Sequence, residues 1–255
     1  MFEIIVGSML FIAAIYDLKT TEIPDEIPIF LIALGIFTSI FKWLFLNDIT
    51  YLTKMLIVGS IFSIFGIIAY YTGQWGAGDS ALLISIAFLY PDFVFIFKYL
   101  INLLIFGSIF MVTFSIIYCY IYSKNSLKIF FYHLKKFKLA YFMLFIIPII
   151  IHFLFAYKIL TVFSALLPIL AILYNFGKIV EKYGFKRKIK VSELKVGDVL
   201  ASFKIWRGIT KEEIEKIKKS NKKFVIIKEG VRFAPAFFIA FIYTMIFNQA
   251  FLIKW

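Results

Sequence analysis

The sequence predicts an all-α polytopic membrane protein of six to eight transmembrane helices, with a small cytoplasmic α/β insert before the last helix. Three observations predict this class. Of 255 residues, 62% are hydrophobic, and mean hydropathy is +0.93, whereas soluble domains are about half apolar. The apolar residues gather in runs close to the roughly 20 helical residues that cross a hydrocarbon layer. The net charge of +13 is concentrated in a few of the intervening segments, as expected where Lys and Arg stay cytoplasmic. The expected organisation is a membrane domain over 1–176, a small cytoplasmic α/β domain over 177–232 and a final transmembrane helix over 233–255.

The runs follow in order. The first extends from Phe2 to Tyr16, without a basic n-region, so no cleaved signal peptide is expected. The connection from Asp17 to Glu26 is mostly acidic, and Pro24 and Pro28 keep it from continuing as one helix. The second run is Ile27 to Leu46 and the third Leu52 to Tyr71. A polar gap, Thr72-Gly73-Gln74-Trp75-Gly76-Ala77-Gly78-Asp79, reads as a flexible turn because of its glycines. The fourth run, Ser80 to Leu89, is short, and the fifth, Phe93 to Tyr122, is longer than a span needs. Ser123 to Lys138 reads as a basic loop. Leu139 to Phe176 is apolar but broken by Pro148, Lys158 and Pro168. It is either a hairpin turning near Tyr157-Lys158 or one kinked helix. In the polar segment, Asp198 to Ile205 reads as a strand, Thr210 to Glu213 as a capping box opening a helix to Lys219, and Lys223 to Ile227 as a second strand.

Charge gives the sidedness. With a hairpin in 139–176, the segments carrying Asp17, Asp79, the Lys135 cluster and the polar insert share one side. Of 28 basic residues only Lys42, Lys54, Lys98, Lys158 and Lys254 fall on the other. The expected localisation is the cell membrane, multi-pass, with the active site and polar domain cytoplasmic. Topology thus accounts for the basic charge, and no motif supports nucleic-acid binding. The single cysteine, Cys119, reads as a small apolar filler. With His133 and His152 distant in sequence it forms no zinc pattern, so no metal and no cofactor are expected.

The acids at the edges of the apolar runs carry the chemistry. A carboxylate beside hydrocarbon is costly unless paired, hydrated or used. Asp17 closes the first run, and Asp79 opens the fourth on the predicted same side. Each alone has an ordinary reading, Asp17 as an interfacial acid and Asp79 as a helix cap. Together they form a candidate proton-sharing dyad, since two close carboxylates do not both ionise easily. The ionised member draws a proton from water and the protonated member donates to a peptide carbonyl. Serine and zinc hydrolase patterns, Gly-x-Ser-x-Gly and His-Glu-x-x-His, are absent from the sequence.

Tyr16-Asp17, Ile23-Pro24-Asp25 and Gly76-Ala77-Gly78-Asp79 resemble the motifs of the type IV prepilin peptidase family of GxGD membrane aspartyl proteases. The archaeal preflagellin peptidases are the most similar branch, and Glu229-Gly230-Val231-Arg232-Phe233-Ala234-Pro235 also looks like theirs. The resemblance implies that Asp17 and Asp79 are the catalytic pair. It further implies cleavage of the short basic leader of preflagellin or prepilin-like substrates at the cytoplasmic face. Bacterial members usually carry paired Cys-x-x-Cys motifs and methylate the product; this chain has only Cys119, so neither zinc nor methyl transfer is expected. Presenilin and signal peptide peptidase are similar in motif order, but their two acids lie on consecutive spans, whereas here two further spans intervene.

Two supporting roles are expected. Gly76 and Gly78 serve the backbone at the site. Glu22, Asp25 and Glu26 would attract the basic leader. The competing function is a proton- or ion-coupled transporter, which normally places its charges near mid-membrane within repeated halves. Neither mark is visible here.

Overall fold

A computed structural model describes residues 2–155, 158–203, 208–220 and 223–248. The chain forms two compact units, Met1–Val112 with Gly230–Trp255, and Thr113–Glu229.

The first unit is built from α1 (Phe2–Thr20), α2 (Glu26–Leu46), α3 (Thr50–Tyr71), α4 (Ala77–Leu89), the first part of α5 (Phe93–Tyr122) and α10 (Ala234–Phe247). Helix α4 packs on α2 and α3, and α1 packs on α10. Glycines permit the closest approaches. A Cβ on Gly35 would lie 2.6 Å from the Phe88 carbonyl, and one on Gly59 would lie 2.8 Å from the Phe88 ring. Leu10, Leu31, Val58, Leu82, Ile86, Phe237 and Phe241 form a fully buried core. Two polar groups inside it are paired: Asn102 Nδ2 donates to Thr244 Oγ1 at 2.9 Å, and the Tyr99 hydroxyl donates to the Phe237 carbonyl at 3.3 Å. Unpaired, such groups would be costly in an apolar interior.

Outward-facing side chains are apolar. Phe37, Phe41 and Phe45 line one face of α2, as suits a lipid-facing surface. By length and composition α2, α3 and α5 can cross a membrane, and shorter apolar helices cover Ala77–Leu89, Lys138–Ile150 and Ala234–Phe247. The protein is a helical membrane protein with a small sheet.

The second unit begins with the end of α5 and continues with α6 (Lys124–Lys136), α7 (Lys138–Phe155) and α8 (Lys158–Ile179). The stretch read from sequence as a basic loop is mostly the helix α6. Its apolar side packs Phe130 against Phe176, with ring centroids 5.1 Å apart, while Lys124, Lys128 and Lys135 are exposed. An amphipathic helix shows no continuous apolar run, which is why hydropathy alone reads it as loop. Between the two open readings of 139–176, the chain forms two helices packed on each other, α7 and α8; Tyr157, at the expected turn, lies outside the described residues.

The polar segment is a three-stranded antiparallel sheet of order β1-β3-β2. Its strands are β1 (Lys186–Lys190), β2 (Val199–Leu200) and β3 (Phe224–Lys228), with α9 (Lys211–Lys219) joining β2 to β3. Ile189 pairs with Val225, and Leu200 with Ile227. The capping box is present: Thr210 accepts from the Glu213 amide, and the Glu213 side chain accepts from the Thr210 amide. The strand expected over 198–205 is shorter than that, and Lys204 and Ile205 fall outside the described residues. Strand β1, Lys-Arg-Lys-Ile-Lys, has too few apolar residues to be legible as a strand.

Candidate active site

Helix α1 does not stop at Tyr16. It runs to Thr20, whose hydroxyl donates to the Tyr16 carbonyl at 2.8 Å, and it ends where Thr21 adopts the left-handed conformation, φ 63°. Asp17 therefore stands in the last helical turn, buried at 6% exposure. Such burial of an acid in a membrane helix needs compensation, and part of it comes from far along the chain. The Ala234 amide, first in α10, donates to Asp17 Oδ2 at 2.9 Å. One residue on, the Leu18 carbonyl accepts from Arg232 Nη1 at 2.7 Å.

Asp79 is reached by a different route. Helix α4 starts at Ala77, with Gly76 as its extended N-cap, φ −69° and ψ 162°. Asp79 is thus in the first turn, where the helix dipole favours an acid, and its Oδ2 lies beside Gly76, 3.3 Å from where a Cβ there would stand. Within this turn the glycine in left-handed conformation is Gly73, φ 71°, two residues before Trp75. Gly78 does a different job from the expected flexible turn. A Cβ there would lie 2.9 Å from Ile23 Cβ, so only glycine lets the start of α4 close on the α1–α2 connection. Trp75 completes the corner, with its ring 6.5 Å from Phe233 and 5.9 Å from Phe237.

The end of α1, the start of α4 and the start of α10 thus meet at one place. Asp17 and Asp79 interact electrostatically there. Among the described residues no hydrogen bond joins their two carboxyl groups. Glu22, Asp25 and Glu26 are exposed on the connection after α1 and at the start of α2. Asp25 is the residue before α2, and its side chain makes no cap hydrogen bond. Among the described residues no three His, Cys, Asp or Glu side chains gather as a metal site. Cys119 is buried in the second unit, and the His152 side chain lies outside the described residues.

No role for Arg232 or Ala234 is legible in the sequence beyond the resemblance over Glu229 to Pro235. One local signal was present: Pro235 in the first turn of α10 marks a helix start, and helix starts carry free N–H donors.

The fold and this corner define a class: a helical membrane protein with a buried acid and a second acid coupled to it where three helix ends converge. Residues 4–117, which include both acids, match the model of the type IV leader peptidase family. No curated protein and no solved structure matches the chain. The likeness to the leader peptidases lies in residues 4–117, less than half of the chain.

Proposed function

We propose that the protein is a membrane aspartyl endopeptidase, with Asp17 and Asp79 as its catalytic pair. The observation that carries this reading is the closing of the starts of α4 and α10 on the end of α1, which brings both acids, within the stretch that matches the leader peptidases, to one corner of the first unit. One carboxylate takes a proton from water, the resulting hydroxide adds to the scissile carbonyl, and the protonated acid donates to that oxygen. Collapse returns the carbonyl as a carboxyl group and expels the new N-terminus as an amine, which takes a proton from the pair. Every step runs on protein side chains and water.

The substrate class is a preflagellin or prepilin-like protein whose short basic leader precedes a hydrophobic helix. Glu22, Asp25 and Glu26, exposed beside Asp17, supply the charge complement for that leader. The corner is assigned to the cytoplasmic face by the distribution of Lys and Arg. In this organisation residues 1–176 form a catalytic membrane domain, 177–232 a cytoplasmic insert and 233–255 the last of six to eight spans.

The test is cleavage of a preflagellin in membranes by wild type, Asp17→Asn and Asp79→Asn, with expression and Tm checked. Each amide variant is expected to lose at least about 100-fold in rate, the usual scale of acid–base assistance. Normal trimming by either folded variant refutes the reading.

A further inference from the structure

A helix leaves N–H groups without partners in its first turn and carbonyls without partners in its last. Here two such ends satisfy each other. The Leu18 carbonyl, at the end of α1, accepts from Arg232 Nη1 at 2.7 Å. The Ala234 amide, at the start of α10, donates to Asp17 Oδ2 at 2.9 Å. Phe233, the N-cap of α10, contributes no side-chain cap of its own. The two bonds leave adjacent residues of α1 and reach alternate residues of the segment entering α10. They make a two-point clamp on the turn that carries Asp17.

Helix α10 does not depend on this clamp for its own place. Asn102 is bonded to Thr244, Lys98 Nζ donates to the Asn248 carbonyl at 2.9 Å, and Phe237, Ala240 and Phe241 are fully buried. It is the fixed partner, and the end of α1 is the part held. The clamp also divides the oxygens of Asp17. Oδ2 is committed to a buried amide, so Oδ1 is the oxygen left to meet water or substrate.

We propose that Arg232 is a positioning residue for Asp17: it holds the last turn of α1 against the N-terminus of α10 and so fixes how the carboxylate is presented, without touching the peptide. The proposal rests on the reading of Asp17 as a catalytic acid.

The experiment compares wild type, Arg232→Met, Arg232→Lys and Asp79→Asn, reconstituted in lipid vesicles with a leader-bearing preflagellin. Loss of a charge-assisted bond that orients a reacting group is expected to lower kcat in Arg232→Met by roughly 10- to 100-fold, with KM within about twofold. Arg232→Lys keeps a cationic donor and is expected to recover to within about fivefold of wild type. A raised KM with intact kcat assigns Arg232 to the peptide and overturns positioning, as does wild-type kcat in Arg232→Met. Should Arg232→Met not fold, hydrogen exchange over residues 17–21 is compared between wild type and Arg232→Gln. Faster exchange there, with 236–244 unchanged, upholds the clamp, and unchanged exchange over 17–21 overturns it. A wild type inactive on every leader substrate removes the peptidase reading and this proposal together. An active wild type, a dead Asp79→Asn and an indifferent Arg232→Met remove the proposal alone.

Discussion

The two units differ in how tightly they are built. In the first, Val6, Leu10, Leu31, Val58, Leu82 and Ile86 have no exposed area, and glycines stand where backbone and ring meet at van der Waals limits. In the second, most of the sheet core keeps a margin: Ile189, Val191, Leu194, Leu200, Ile214 and Ile227 are each 6–9% exposed, while Ile209 is closed at 1%. A few partly wetted side chains stabilise a small domain only marginally, whereas a close-packed interior transmits every displacement. The acids stand in the unit with no slack. The comparison teaches that the first unit closes most of its helix-crossing core completely, whereas most of the sheet core stays partly wetted.

The largest effect that would break this comparison is expected at the acids themselves, as the Asp17→Asn and Asp79→Asn assays above read it. Next is Gly78→Val. Its Cβ would fall 2.9 Å from Ile23 Cβ, an atom that no rotamer change can move. Overpacking of this kind costs about 1–3 kcal/mol. Because it pushes the start of α4 away from Ile23, cleavage is expected to fall at least about tenfold, while Gly73→Ala, in open space though at positive φ, costs stability without moving α4. Equal cleavage by Gly78→Val and wild type would show that the corner tolerates slack.

Smaller is Ile209→Val, at a position 1% exposed in the core of the sheet unit. It is expected to cost about 0.5–1.5 kcal/mol, seen as faster hydrogen exchange across 186–228. Exchange over 2–20 should stay as in wild type. Spread of the effect into α1 would erase the distinction between the units. The smallest effect is expected from Glu22→Gln, Asp25→Asn and Glu26→Gln together. These exposed acids act through screened charge, so KM for a basic leader should rise a few-fold at low salt and converge with wild type at high salt, with kcat unchanged.

What the sequence made legible follows from the range of each signal. Asp17 and Asp79 were visible because an acid beside an apolar run is a local anomaly, and Thr210 with Glu213 because a capping box spans four residues. The apolar run over 139–176 was visible as too long for one span, but its prolines and Lys158 left a hairpin and one kinked helix both open, and the packing of α7 on α8 separates them. Helix α6 escaped because its lysines interrupt the apolar pattern, and β1 because four of its five residues are basic. The start of α4 was placed three residues late because Gly76 and Gly78 read as a loop, although Gly78 is helical. The amide that caps Asp17 was beyond reach, since the bond joins residues 217 apart.

That separation has a bearing on how the protein is made. Asp17 is synthesised 217 residues before the amide that caps it. The carboxylate waits without this partner while the intervening helices are made, and the corner closes only when residue 234 has been added and α10 has docked. A chain halted short of residue 234 therefore carries both acids without the bond that presents Asp17.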